Sequence, residues 1–250
     1  MRKAIKAITQ SASLMTFFSM FVRSFSPLVI IPFGLISNSE QDIALYLLLL
    51  TVVQICYFID FGLTPTLSRF IAYAGNKVED KSQESSSGPS VGLIPENIKL
   101  SPVIKFTHIL YCILSVGVLA FLVILRHSIG DSASFENENI IGKYAWNTLI
   151  VGMPVLIWGM KYSIFLTGTN KIHIEQTAAF IVGVISIVAQ ILAMIFFGKL
   201  LIIFIVMIGF EVLGVFLKRA LSIRYCFDIG TIVHASKVHL SNHLELIKKI

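Results

Sequence analysis

Long apolar runs separated by short polar clusters dominate this chain. Six stand out, at about 12–36, 44–72, 103–125, 145–168, 174–197 and 200–217. Each is close to or beyond the ~20 residues an α-helix needs to cross the hydrocarbon core of a bilayer. From Ile181 to Phe197 the run is almost continuously apolar, whereas a membrane β-strand would alternate polar and apolar residues over ~10 positions. A barrel is therefore excluded. The second run is too long for one crossing, and Gly62-Leu63-Thr64-Pro65 near its end predicts a kink or an interfacial tail, because proline removes a backbone donor. The pattern predicts an all-α, polytopic membrane protein whose six transmembrane helices form one bundle over residues 1–218.

The segments between the runs fix the orientation. Alternating six crossings places about fifteen Lys and Arg residues on one side and three on the other. By the positive-inside rule both termini are cytoplasmic. The cytoplasmic loop 75–102 contains Lys81-Ser82-Gln83-Glu84-Ser85-Ser86-Ser87-Gly88-Pro89-Ser90, which cannot bury enough apolar surface to order itself. Residues 219–250 intersperse Val233, Val238, Leu240, Leu244, Ile247 and Ile250 with Lys and His, the pattern of an amphipathic tail on the inner leaflet. Arg2, Lys3 and Lys6 resemble the basic start of a signal peptide. The apolar run that follows, Ser11 to Ile36, exceeds a 7–15 residue signal core and is expected to stay as the first helix.

Composition agrees. Of 250 residues, 56% are hydrophobic and 14% charged, and mean hydropathy is +0.83, against ~25% charged in a soluble domain. The net charge of +6 is explained by the cytoplasmic loops, not by nucleic-acid binding. Cys56, Cys112 and Cys226 form no CxxC or metal-type spacing, and are read as polarizable core fillers. His234, His239 and His243 lack a third ligand at metal-binding spacing. No phosphate loop, zinc pair or nucleophile elbow is present, so neither a cofactor nor bond-making chemistry is expected.

The informative residues are the ionisable ones inside the runs, each costing roughly 2.5–3.5 kcal/mol at a helix centre unless it faces the bundle interior or a polar cavity. Arg23 sits near the middle of the first run, where its guanidinium suits a phosphate or a structural carboxylate such as Asp60 or Glu211. Asp60 can cap the helix that restarts beyond Gly62 or bind a cation. Arg69, nearer the cytoplasmic end, can snorkel. Lys161, two-thirds along the fourth run, either snorkels or lines a cavity. Glu211 lies seven residues before Lys218, on the same helix face, and is a relay acid or a counter-ion. Glu175 is a helix-start charge favoured by the macrodipole.

Glu40 to Tyr46, followed by Ile59-Asp60-Phe61-Gly62-Leu63-Thr64-Pro65-Thr66-Leu67-Ser68-Arg69-Phe70-Ile71-Ala72-Tyr73-Ala74, resembles the polysaccharide flippases that export O-antigen and related repeat units. These belong to the superfamily of multidrug, oligosaccharidyl-lipid and polysaccharide exporters. Asp60, Gly62, Leu63, Arg69 and Ala72 occupy the D-x-G-L…R-x-x-A pattern at the end of that family's second helix, and Thr167 to Lys171 is similar to its turn after the fourth. The resemblance implies translocation of undecaprenyl-diphosphate-linked oligosaccharides across the bacterial inner membrane, by two six-helix bundles around a cationic cavity. It implies diphosphate binding by Arg23, Lys161 and Arg69, and ion coupling by Asp60 or Glu211. The six runs here correspond to the N-terminal half of such a transporter, so a homodimer, a second half-transporter chain or a truncated copy without transport activity is expected. A multidrug exporter would favour an acidic cavity, which Arg23 and Lys161 oppose. A membrane polymerase or acyltransferase would show a large periplasmic loop or a catalytic His/Asp pair. A non-enzymatic membrane partner is the remaining alternative.

Overall fold

The computed structural model describes residues 17, 38–60, 62–80, 100–130 and 140–225, with backbone alone at 74–80, 100–101, 129–130 and 140. Six helices fill the long stretches: α1 (Glu40–Phe58), α2 (Leu63–Asp80), α3 (Leu100–Gly130), α4 (Ile140–Gly168), α5 (Ile172–Phe197) and α6 (Leu200–Tyr225). No strand occurs among the described residues. Among the described residues, five segments are long and apolar enough to cross a membrane: Glu40–Tyr73, which combines α1 with the start of α2, then Pro102–Ser128, Ile141–Gly168, Ile172–Phe197 and Leu200–Tyr225. They coincide with the second to sixth apolar runs. Apart from Phe17, the first run, with Arg23, lies outside the described residues, as do most of the Ser-rich loop and the tail beyond Tyr225. α6 runs past the boundary expected at 218.

The second run breaks at the Gly62 end of the stretch expected to kink it. α1 ends at Phe58 and α2 begins at Leu63, with Gly62 between them at φ +76, a left-handed conformation in which a Cβ is costly. Pro65 falls in the first turn of α2, where its missing N–H would have had no helical acceptor. Glycine therefore makes the break, and proline tolerates the restart.

α4 is the hub, packed against each of the other five helices. Two glycines bring it close to α6: a Cβ on Gly152 would lie 2.4 Å from Ile208 Cγ2, and one on Gly159 2.4 Å from Val215 Cγ1. Both glycines and both aliphatic partners are seven residues apart, a repeat that keeps two parallel helices in register. Pro154 lies inside α4, and Ser115 of α3 donates to its carbonyl at 2.8 Å. On α5, Ser186 and Gln190 are buried and hydrogen-bonded at 2.8 Å, while Ile181, Ile185, Val188, Ile195 and Phe196 face outward. Such an apolar exterior is untenable in water and natural in lipid.

The two ends of the bundle are tied differently. At one, Ser39 accepts from the Asp42 N–H at 3.2 Å to cap α1, and Gly198 closes α5 in the left-handed region at φ +62. Asn38 joins these turns: its Nδ2 donates to the Gly198 carbonyl at 3.1 Å, and its Oδ1 accepts from the Leu200 N–H at 3.2 Å. At the other end Gly168 lets α4 approach α2, where a Cβ would lie 2.7 Å from Ile71. The segments at 38–39 and 198–199 thus share one end, as alternating crossings require. Asn38→Ala is expected to cost about 1 kcal/mol, read as a lower Tm in detergent by circular dichroism. An unchanged Tm would show that the bridge contributes nothing.

Candidate functional site: polar clusters joined by one helix

Among the described residues, three polar clusters that contain a buried or half-buried charged side chain lie within the apolar bundle. The first is at the break between α1 and α2. The Asp60 carboxylate accepts from the Thr64 N–H at 3.4 Å, the Thr64 hydroxyl at 3.1 Å and the Tyr111 hydroxyl at 2.5 Å. Its backbone carbonyl accepts from Leu63 N–H at 2.7 Å. Asp60 thus caps the restarted helix and binds it to α3 through Tyr111, which is fully buried. Of the two readings of Asp60, capping is the one the geometry contains.

The second cluster surrounds Lys161 on α4. This residue does not snorkel: it is 1% exposed. Its ammonium lies 3.0 Å from His108 Nδ1 on α3 and 3.6 Å from the centroid of the Trp158 ring, with the Tyr162 ring at 5.2 Å. An ammonium can only donate, so Nδ1 accepts and the ring proton resides on Nε2. Trp158 also carries the Arg219 guanidinium of α6 at 5.9 Å from its centroid, and packs edge-on to Tyr162. Two cations therefore share one indole, an arrangement favoured by the ring quadrupole and opposed by mutual repulsion. Among the described residues no carboxylate bonds to Lys161.

The third cluster joins α4, α5 and α6. Lys218 Nζ is 2.8 Å from Glu175 Oε1 and donates to Ser163 Oγ at 3.0 Å, while Ser163 Oγ donates to Glu175 Oε1 at 2.9 Å. Glu175 occupies the first turn of α5, as expected of a charge near the positive end of the helix dipole. It is also buried, and its ion pair is an addition to that reading. Lys218 is turned to α5, not toward Glu211 two turns back on its own helix.

No protein-family model, curated protein or solved structure matches the chain.

Asp60 and Lys161 reach the same helix: Tyr111 and His108 are three residues apart on α3, roughly 4.5 Å along its axis. Arg69 faces outward from α2 and is not among the partners of Asp60. Glu211 is half-buried on α6. Arg23 lies outside the described residues. Cys56 is buried, as a core filler should be, but Cys112 is exposed on α3 and corrects that expectation: a thiol is apolar enough to face lipid. His108, Tyr111 and Ser163 are the members that sequence reasoning passed over. His108 was within reach, since it is an ionisable side chain inside an apolar run, the criterion that singled out Lys161.

Proposed function

We propose that this bundle belongs to a membrane transporter of anionic, lipid-linked substrates. The substrate that the residue 59–74 motif implies is an undecaprenyl-diphosphate-linked oligosaccharide, moved across the bacterial inner membrane. The observation that carries the reading is the Lys161 cluster. A lysine buried in a span, bonded to a neutral imidazole and an indole with a second cation beside them, is costly as pure structure and well suited to attracting phosphate. Asp60, Glu211 and Arg23 enter through the resemblance: the first two as sites of ion coupling, the third as a further phosphate ligand. Arg69, facing outward, serves at the membrane surface. The same resemblance pairs such a bundle with a second, from another copy or another chain, to enclose the cavity.

The test uses one of the chain's two tryptophans. In a Trp146→Phe background, Trp158 alone reports. Undecaprenyl diphosphate titrated into the purified protein is expected to change its fluorescence saturably, undecaprenol is expected not to, and Lys161→Met is expected to weaken binding at least tenfold. Lys161→Arg, which keeps the charge, should retain most of it. Equal response to the neutral lipid, or undiminished binding by Lys161→Met, would remove the anion site. Transport itself is read as protection of a fluorescent diphosphate lipid from an external quencher in proteoliposomes.

A further inference from the structure

We infer that His108, and not Lys161, is the residue that touches the anionic headgroup, with Lys161 acting from beneath it. This deepens the reading above and rests on it. Lys161 is enclosed, its ammonium covered by His108 and the Trp158 ring. A phosphate approaching from the open side of α3 cannot reach Nζ without displacing both. His108 is exposed, and its tautomer is set by the bond it accepts from Lys161, so Nε2–H is the donor turned away from the lysine.

That donor has a problem only a ligand or water solves. It projects from the outward side of α3 between Lys105 and Cys112, six residues inside the start of the apolar span Pro102–Ser128, roughly 9 Å along the helix axis. Bare hydrocarbon offers an N–H no acceptor, at a cost of several kcal/mol. A phosphate oxygen satisfies it, and the bond is strengthened because Lys161 withdraws electron density through Nδ1. The Arg219 guanidinium, also exposed and anchored over Trp158, adds charge without competing for the same imidazole. The arrangement resembles a metal-bound histidine in logic, with a buried cation holding one ring nitrogen and so fixing what the other presents. His108 is the binding residue, and Lys161 a positioning residue that also supplies field.

The direct test is solid-state NMR on protein labelled with 15N in its histidine and lysine side chains, in bilayers with undecaprenyl diphosphate. The 31P nuclei are expected to dephase one protonated Nε2 signal, and His108→Gln is expected to abolish that dephasing. In the fluorescence titration, His108→Leu should lose roughly ten- to hundredfold in affinity, the range for a hydrogen bond to a charged group. His108→Gln, whose amide accepts from Lys161 and donates outward, should recover most of it. Inorganic diphosphate as competitor separates the ligand's sources: displacement of the lipid shows that the headgroup suffices, and failure to displace shows that the chain is needed. Either places phosphate on His108 if the dephasing is seen. Saturable binding with dephasing at a lysine 15N alone, or at no nitrogen, would overturn the inference and leave the anion-site reading standing. An absence of any phosphate-dependent binding would sink that reading itself.

Discussion

Gly159→Ala is expected to destabilise the bundle by about 1–3 kcal/mol, against the usual gain of roughly 1 kcal/mol when alanine replaces glycine in a helix. The reason is the closeness of α6. A Cβ at position 159 would lie 2.4 and 2.5 Å from the two methyls of Val215 and 3.0 Å from its Cβ. Valine in a helix has one strongly preferred χ1 rotamer, and here rotation only exchanges one clashing methyl for the other. The helices must move apart. Gly152 is less severe: only Ile208 Cγ2 comes under 3 Å there, and the next atoms lie at 3.8 and 3.9 Å. Gly152→Ala should therefore cost less. The decisive measurement is a double-mutant cycle on Tm in detergent. Val215→Ala alone opens a void and costs about 1–2 kcal/mol. Combined with Gly159→Ala it should lose less than the two separate effects added, because the new methyl occupies the space of the old. Strict additivity would show that α4 and α6 do not meet at this pair, and a Gly159→Ala protein as stable as the parent would refute the close approach.

The same contact shows where the sequence was legible and where it was not. Five helices long and apolar enough to cross a membrane could be read because each apolar run has its own length and bounding charges, properties local to one helix. The break in the second run was also visible at Gly62 to Pro65, but it was ascribed to the proline when Gly62 makes it: proline is an obstacle only in a helix interior, and here it falls in a first turn. Pairing between helices lay out of reach. Gly152 and Gly159 repeat at seven, as do Ile208 and Val215, yet nothing in a single sequence says that these two heptads face each other. Lys218 makes the point with charge. Its spacing from Glu211 correctly put both on one face of α6, but a partner across an interface can come closer than one two turns away, and Glu175 does. Lys161 was legible as an anomaly, with snorkelling and burial both open, and its burial could not be read because the covering His108 arrives from a helix about fifty residues earlier.

Lys218→Met is expected to cost the bundle about 3–5 kcal/mol, the range for removing one member of a buried ion pair. Glu175 is 6% exposed, and its Oε1 accepts from both Lys218 and Ser163. Without the lysine, the carboxylate keeps one hydroxyl donor and the dipole of α5, in surroundings that exclude water. The reverse substitution, Glu175→Gln, should be milder for two reasons. Its amide oxygen still accepts from Ser163 and Lys218, and the lysine side chain is 17% exposed near the end of α6, from which its ammonium can extend toward the headgroups. This asymmetry separates an electrostatic clamp from simple packing, since methionine fills nearly the volume of lysine. The combined variant Glu175→Leu with Lys218→Met is expected to lie within about 1 kcal/mol of the parent, because replacing a whole buried pair by apolar groups is often neutral. Unfolding free energies from SDS titration in mixed micelles would resolve all three. A double variant as damaged as Lys218→Met would mean that the cluster fixes the geometry of α4, α5 and α6 in a way that apolar packing cannot replace. A harmless Lys218→Met would mean that the pair forms only weakly in the membrane.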